Sequence, residues 1–435
     1  MYPSRRAIVI IAFGAALAVL PVLLGGGLWL LWLFAWCLFL LLFAFDAVMS
    51  PRRSDLDVTV DHAGTLFVGE PERVAVRVAL RGDGRATALA KLDTRGDLAA
   101  SDARRVRLSR EPVEVGFELT PTRRGQAVVD SLWWRWSGPF GLVDRVTRHP
   151  LERVVEAVPN LRVVRREAVQ FASSQEYRAG LRIERWAGDG SEFDSLREFM
   201  PGLDHRTIDW KSSARHAKLL SRQFRAERNR QIVVAIDAGH LMAEPLGGLP
   251  RLDHAIHAGL LLAYFSARAG DRVGFYSFDE RPQGFSEPRT GMSAFRAALK
   301  LSGGIGYSEG ETNFTLGLTE LMQRLNRRSL VVVMTDFVDS VTASLMVENL
   351  TRLGRRHLVV FVSIRDPGLD ELAAAEPRAL LGLHRAVVAD SLVRERELVL
   401  THLRRLGIFC IDAAPSEVGV ELLNRYLAIK RRELI

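Results

Sequence analysis

The sequence predicts an α/β protein in which an N-terminal transmembrane helical hairpin and a β-sandwich segment precede a doubly wound, mostly parallel sheet. Three patterns carry this prediction. No residue from Ala7 to Phe45 is charged. Residues 55–158 contain runs in which apolar and polar side chains alternate with period two, as half-buried strands require. From residue 231 onward, short wholly apolar runs alternate with helical patterns, as in sheets covered on both faces. The remaining composition is ordinary. Charged residues make up 25% and hydrophobic residues 48% of 435, values that exclude a disordered or fibrous chain. With only two cysteines, Cys37 and Cys410, a disulfide scaffold is excluded as well.

The uncharged N-terminal run is too long for one bilayer crossing, which needs about 20 residues. Gly25-Gly26-Gly27 lies in its middle, after Pro21. The residues 1–50 therefore read as a hairpin with helices near 7–24 and 28–48, because helices satisfy their own backbone groups in lipid. Arg5 and Arg6 precede the first helix, and Arg52 and Arg53 follow the second. This Lys/Arg placement predicts that both ends face the cytoplasm, with the bulk of the chain there. The expected location is the cell inner (plasma) membrane, as a multi-pass protein. The apolar run is longer than the 7–15 residues usual in a cleaved signal peptide.

Residues 55–158 follow as a β-sandwich. The runs at 58–60, 73–80 and 113–119 alternate cleanly and are separated by Gly- and Pro-containing turns. Alternate rings of the cluster Trp133, Trp134 and Trp136 are expected in its core. Residues 160–230 are polar, rich in arginine and less regular. The 231–435 domain then offers strands at 231–237, 272–278, 329–336, 357–363 and 408–411, with helices at 252–269, 312–324 and 417–431. Sites in such sheets lie at the carboxyl ends of strands, where Asp237 and Asp336 are placed.

Four weaker signals need weighing. No phosphate-binding loop of the Walker type is present. Gly306-Tyr307-Ser308-Glu309-Gly310 matches a nucleophile-elbow pattern, but the preceding Leu301–Ile305 reads as loop where an elbow needs a strand. His254 and His257 share a helical face without a third zinc ligand in register, and read as a solvated or interface face. The 59 basic residues are dispersed among 51 acids, giving +8 overall. No basic stripe of the kind that marks a nucleic-acid binder results, so none is expected as a partner.

Two constellations carry more. One is the stretch from Glu192 to Arg215, with Arg197, Asp204, Arg206, Asp209, Trp210, Ser213 and Arg215 as its polar and aromatic marks. It reads either as an ion-pair network stapling an irregular segment to the sheet or as a partner-binding surface. The other is Asp237-Ala238-Gly239-His240-Leu241-Met242, with Thr312 and Thr335-Asp336-Phe337 downstream. Together with Pro121-Thr122-Arg123-Arg124-Gly125 and Gly138-Pro139-Phe140-Gly141-Leu142, they resemble the family called domain of unknown function 58 (DUF 58), over nearly the whole chain. In that family a membrane hairpin and a β-rich segment precede a von Willebrand factor A-like domain. Such domains hold a divalent cation through Asp-x-Ser-x-Ser, a threonine and a further aspartate. Carried over, Asp237, Thr312 and Asp336 match, whereas Gly239 and Leu241 replace both serines. The metal site is therefore predicted to be degenerate, with no cofactor expected. The bland alternative for Asp237 and Asp336 is a pair of carboxylates capping helix N-termini.

The resemblance implies a bacterial, membrane-anchored, non-enzymatic adaptor or assembly factor. Its expected partners are a MoxR-type AAA+ ATPase and protein clients. The alternative is a hydrolase or metal-dependent enzyme using Ser308 or the strand-end cleft.

Overall fold

Where the sequence changes texture near residue 160, the structure divides, into units Met1–Asn160 and Leu161–Ile435. The computed structural model describes residues 1–19, 28–50, 56–61, 64–81, 86–173, 187–200, 204–225, 230–338, 340, 343–375 and 379–434. The chain is a mixed α/β protein with several sheets.

The first unit opens with α1 (Arg5–Leu17) and α2 (Leu28–Met49). Ser4 caps α1, its hydroxyl accepting from the Ala7 N–H at 3.2 Å. The 21 residues Trp29–Met49 form the one helix among the described residues that is long and apolar enough to cross a membrane. The Trp32 indole donates to the Gly14 carbonyl at 3.1 Å, which places α1 against α2. The predicted turn Gly25-Gly26-Gly27, the end of the first predicted helix from residue 20, and Arg52 and Arg53 lie outside the described residues.

Nine strands follow: β1 (Leu56–Asp61), β2 (Thr65–Phe67), β3 (Glu72–Leu80), β4 (Ala86–Arg95), β5 (Leu98–Ala100), β6 (Arg104–Leu108), β7 (Val113–Pro121), β8 (Gly125–Ser137) and β9 (Val143–Val158). One sheet has the order β1-β3-β7-β5 and the other β9-β8-β4-β6, with β2 added in parallel on β9. The period-two pattern does the sorting. Val74, Val76, Val78 and Leu80 of β3 and Val115, Phe117 and Leu119 of β7 point inward to one core shared with β4 and β8. Trp134 and Trp136 are buried in that core, whereas Trp133 faces outward.

The most constrained contact of this unit is at Asp46, near the end of α2. Its carboxylate is fully buried and accepts the backbone N–H groups of Phe140 at 2.7 Å and of Leu142 and Val143 at 2.8 Å each. Gly138-Pro139-Phe140-Gly141-Leu142 is thus a cradle of amides for one carboxylate. A Cβ at Gly138 would lie 2.4 Å from Asp46 Cγ, and Gly141 adopts φ +68°. Both positions call for glycine.

The second unit begins with α3 (Leu161–Ser173) and a two-stranded antiparallel ribbon, β10 (Ala187–Glu198) with β11 (Leu220–Arg225). Between its strands lie a single 3-10 turn at His205–Thr207 and α4 (Trp210–His216). The large sheet contains β12 (Gln231–Asp237), β13 (Arg272–Phe278), β14 (Pro282–Thr290), β15 (Leu330–Met334), β16 (Leu358–Ile364) and β17 (Phe409–Ala413), in the order β14-β13-β12-β15-β16-β17. Five of these strands run parallel, as predicted, and β14 is an antiparallel edge that the sequence reading did not include. Helices α5 (Arg251–Arg268), α6 (Met292–Gly304) and α11 (Val418–Arg431) pack with α3 on one face. Helices α7 (Phe314–Arg324), α8 (Ala343–Gly354) and α10 (Leu380–Arg405) cover the other, and the short α9 (Pro367–Ala374) precedes α10. Strands buried on both faces have no polar side to alternate with, which is why they read as continuous apolar runs.

Two local expectations are corrected. Leu301–Gly304 is the end of α6, not loop, because Ala294, Ala298 and Ser302 form a buried face at helical spacing. His254 and His257 do not form a solvated face, since α5 is buried nearly all round. The His254 ring meets the Leu246 carbonyl at 2.9 Å, and burial holds its pKa below the ordinary value.

The Asp46 cradle yields a prediction. Asp46→Ala strips three amides of their acceptor and should cost the first unit on the order of 3 kcal/mol. In nanodiscs this appears as faster proteolysis within residues 56–160 than in the wild-type chain.

Candidate functional site

The sheet turns its chemistry out at the carboxyl ends of β12 and β15. These neighbouring strands pair in register, Ile236 opposite Met334, so the residues that follow them are brought side by side. Asp237 closes β12 and is 2% exposed. Its Oδ1 accepts from the Thr312 hydroxyl at 2.6 Å and the Gly239 N–H at 2.8 Å, and its Oδ2 from the Thr335 hydroxyl at 2.5 Å. Burial raises the Asp237 pKa above the ordinary carboxylate value, and Asp279 adds to this. The three hydrogen bonds act in the opposite direction without cancelling it.

Asp336, one residue beyond Thr335, has different company. Its Oδ1 accepts from Arg396 Nη1 at 2.8 Å, the Ser363 hydroxyl at 3.0 Å and the Phe337 N–H at 3.0 Å. Its Oδ2 is ion-paired with Arg251 Nε at 3.0 Å. Arg396 also reaches Asp412 Oδ1 at 2.8 Å, and Arg251 Nη1 reaches Glu244 Oε2 at 2.7 Å. Burial acts against the charge on Arg396, but Asp336 and Asp412 outweigh it and hold the guanidinium pKa above its ordinary value. Both oxygens of Asp336 are therefore committed to protein cations.

Of the residues assigned by sequence to a metal site, Asp237, Thr312 and Asp336 do come together. Gly239 explains the missing serine. A Cβ there would lie 2.0 Å from Thr312 Oγ1, so the Asp237–Thr312 hydrogen bond occupies the space that a side chain at 239 would need. The carboxylates are not helix caps of the ordinary kind, being bonded across strands and to arginines.

Sequence reasoning missed Thr335 as a partner of Asp237, and Arg251, Ser363, Arg396 and Asp412 as partners of Asp336. Arg396 sits in Val393-Arg394-Glu395-Arg396-Glu397, where four consecutive residues are charged and nothing marks the inward one.

A cleft of about 670 Å³ opens beside these groups. Phe314, Phe337, Leu345 and Met346 supply apolar lining, and Glu280 and Glu311 supply carboxylates at its edge. Ser308 lies nearby in the loop after α6, with no strand leading into it, so the nucleophile elbow does not form. Its hydroxyl accepts from the Gly310 N–H at 3.2 Å, closing a local turn.

Among the described residues, the 192–215 signature makes several separate contacts. Asp209 caps α4, accepting from the Ser212 N–H at 3.0 Å, and pairs with Arg222 Nε at 2.9 Å. Arg222 and the Ser212 amide hold the Asp209 carboxyl below the ordinary range. Its cationic partner is thus on β11, outside the signature. Ser213 is buried and accepts from the Leu220 N–H at 2.9 Å, fastening α4 to β11. Thr207 donates to the Asp204 carbonyl at 2.6 Å, and Ser221 to the Arg197 carbonyl at 3.3 Å. Arg206 falls in the 3-10 turn, and Trp210 and Arg215 are exposed on α4. Gly202 and Leu203 lie outside the described residues.

Residues 195–386 match the family described as protein of unknown function DUF58. Uncharacterized protein Rv1480 of Mycobacterium tuberculosis (strain ATCC 25618 / H37Rv) is 22% identical over 182 residues, covering 41% of this chain and 56% of that protein. Uncharacterized protein Mb1516 of Mycobacterium bovis (strain ATCC BAA-935 / AF2122/97) matches with the same figures. The chain spans about half the length of these relatives. Among solved structures, the conserved hypothetical protein BatB from Bacteroides thetaiotaomicron aligns with a TM-score of 0.31 at 15% identity, over 46% of this chain and 98% of that one.

Two predictions follow from the geometry. Asp237 has a folded-state pKa above its unfolded one, so its contribution is complete below about pH 4 and is lost as pH rises through the folded value. Asp237→Asn removes that loss, and Thr335 can turn its hydroxyl to the Asp336 carbonyl at 3.3 Å. The melting temperature of the variant relative to wild type should rise from pH 4 to pH 8. Gly239→Ser should destabilise the chain by about 1–3 kcal/mol through overpacking against Thr312, read by denaturant unfolding.

Proposed function

We propose that this chain is a membrane-anchored, non-enzymatic adaptor or assembly factor. In this reading the second unit is a von Willebrand factor A-like domain with a doubly wound sheet, whose strand-end face meets a protein partner. A MoxR-type AAA+ ATPase is the partner that supplies nucleotide chemistry, and protein clients are the cargo. The α1–α2 pair is the hairpin that holds the complex in the inner membrane, with the second unit in the cytoplasm.

One observation carries the reading. The polar groups at the strand ends are engaged with one another, while an open, largely apolar cleft lies beside them. Arg251 and Arg396 take up both oxygens of Asp336, and two threonine hydroxyls take up those of Asp237. This donor set does not fit a hard divalent cation, which needs several free oxygens and is repelled by guanidinium groups in the same position. A face built that way recognises surfaces rather than transforming a substrate. The match of residues 195–386 to DUF58 supports placing the partner-facing region there. The apolar span Trp29–Met49, preceded by Arg5 and Arg6, supports the anchor and its orientation.

The test is affinity capture of the full chain from membranes, with ATP and with or without EDTA. An AAA+ ATPase should be recovered equally in both conditions, and Phe337→Ala with Leu345→Ala in the cleft should reduce recovery at least tenfold. Recovery of no AAA+ protein, or recovery abolished by EDTA, would overturn the reading.

A further inference from the structure

Two surfaces of the second unit stand open among the described residues. One is the strand-end cleft. Phe314, Phe337, Leu345 and Met346 give it an apolar wall beside Thr312, Asn313 and Thr315, and it also carries Glu280 and Glu311, which are exposed and have no cationic partner among the described residues. The other is the first half of α10. Leu380, Leu381, Leu383, Val387 and Val388 are 48–74% exposed there, and His384 and Arg385 lie between them. Leu380, Leu383 and Val387 fall at i, i+3 and i+7 with Leu381 and Val388 beside them, the stripe of a helix that lays aliphatic anchors into a groove.

We propose that the cleft of one chain receives the first half of α10 from a second copy of the chain. The aliphatic side chains enter between Phe314, Phe337 and Leu345, and Arg385 meets Glu280 and Glu311. The surfaces are complementary in both respects. The helix offers an aliphatic stripe with Arg385 beside it, and the cleft offers an apolar wall with the carboxylates of Glu280 and Glu311, so the pairing sets opposite charges beside an apolar contact.

Geometry excludes the intramolecular alternative. Arg396, on the same continuous helix, is fixed to Asp336 at the foot of the cleft. Leu383 lies thirteen residues before it, about 20 Å away along the axis at 1.5 Å per residue. A straight helix cannot return to its own cleft across that distance. The same fact favours reciprocity. Each α10 leaves from beside its own cleft, so two copies related by a two-fold axis can each offer a helix to the other in one isologous contact. The inference does not rest on the adaptor reading, but the two share the cleft, so a second copy and an ATPase are alternative occupants of it.

The experiment uses the full chain in nanodiscs and in detergent. Chains carrying Leu383→Cys and Val338→Cys are mixed and treated with a short thiol cross-linker, each single variant serving as its own control. The mixed pair should give a cross-linked dimer at least fivefold above either control. Arg385→Glu and the double variant Glu280→Lys/Glu311→Lys should each lose self-association by at least tenfold in light scattering. Mixing these two should restore it, because both faces of the mixed pair are complementary again. That rescue distinguishes a specific contact from misfolding or from apolar stickiness. A fluorescein-labelled peptide of residues 379–391 should bind the wild-type chain and compete with the dimer. A monomeric wild-type chain, a rescue that fails, or a peptide that binds phosphatidylglycerol vesicles but not the chain would each overturn the proposal.

Discussion

The second unit is organised around one buried ion pair cluster, the Asp336 carboxylate between Arg251 and Arg396. Through it, five elements meet at one point: Asp336 follows β15, Ser363 is on β16, Asp412 is on β17, Arg251 opens α5 and Arg396 lies in the second half of α10. Charges this far from water are costly unless each is paired and hydrogen-bonded, and removing one member of such a group typically costs 3–5 kcal/mol. Asp336, Arg396 and Asp412 meet that condition together, whereas Arg251 Nε faces Asp336 at 3.0 Å as an ion pair alone. The cluster therefore fixes the register of α10 against the sheet edge as firmly as the apolar packing of Val399, Leu400 and Leu403 does.

The neighbouring Asp237 shows the opposite solution to the same problem. It is as buried as Asp336, but hydroxyls and one amide surround it in place of guanidinium groups. Neutral donors soften the cost of burying a carboxylate without removing it, which is why its pKa rises. Thr335 lies between the two, with its side chain on Asp237 and its chain neighbour Asp336 on the arginines. Two adjacent strand ends thus hold one carboxylate by charge and the other by hydrogen bonds. An ion shared between them would have to break both arrangements.

Much of this fold was legible in the sequence. The five parallel strands stand where uninterrupted apolar runs placed them, because burial on both faces leaves such a run no other home. In the first unit the alternating runs at 58–60, 73–80 and 113–119 stand as β1, β3 and β7, while the other strands were not placed by alternation. The antiparallel edge β14 was missed for a physical reason. Pro282-Gln283-Gly284-Phe285-Ser286-Glu287-Pro288 has neither period, since none of its side chains is fully buried and edge strands tolerate proline. Asp237, Thr312 and Asp336 were recognisable as residues that meet, but not their partners. Arg251 and Arg396 are chosen by three-dimensional proximity, and surrounding charges of both signs conceal them. The signature around Asp209 misled in the same way, since a cation that pairs with it is Arg222 on the returning strand, outside the signature.

The same limit applies to Gly138-Pro139-Phe140-Gly141-Leu142, whose two glycines have no explanation within the sandwich itself. The reason lies more than ninety positions earlier, in Asp46. An aspartate in an otherwise apolar helix would be expelled from its surroundings if left bare, and three oriented amides are what allow it to stay. The loop is gripped from the other helix too, because the Ser4 hydroxyl donates to the Gly141 carbonyl at 2.6 Å. Arg145, just beyond the loop, donates to the Ala47 carbonyl at 2.8 Å. With both helices holding the same short loop through directional bonds, the sandwich of this unit cannot swivel about a single tether. Its orientation on α1 and α2 is set by hydrogen-bond geometry. A glycine-rich loop, which alone would be the most pliant part of a sandwich, becomes a rigid joint because its amides have a buried charge to converge on.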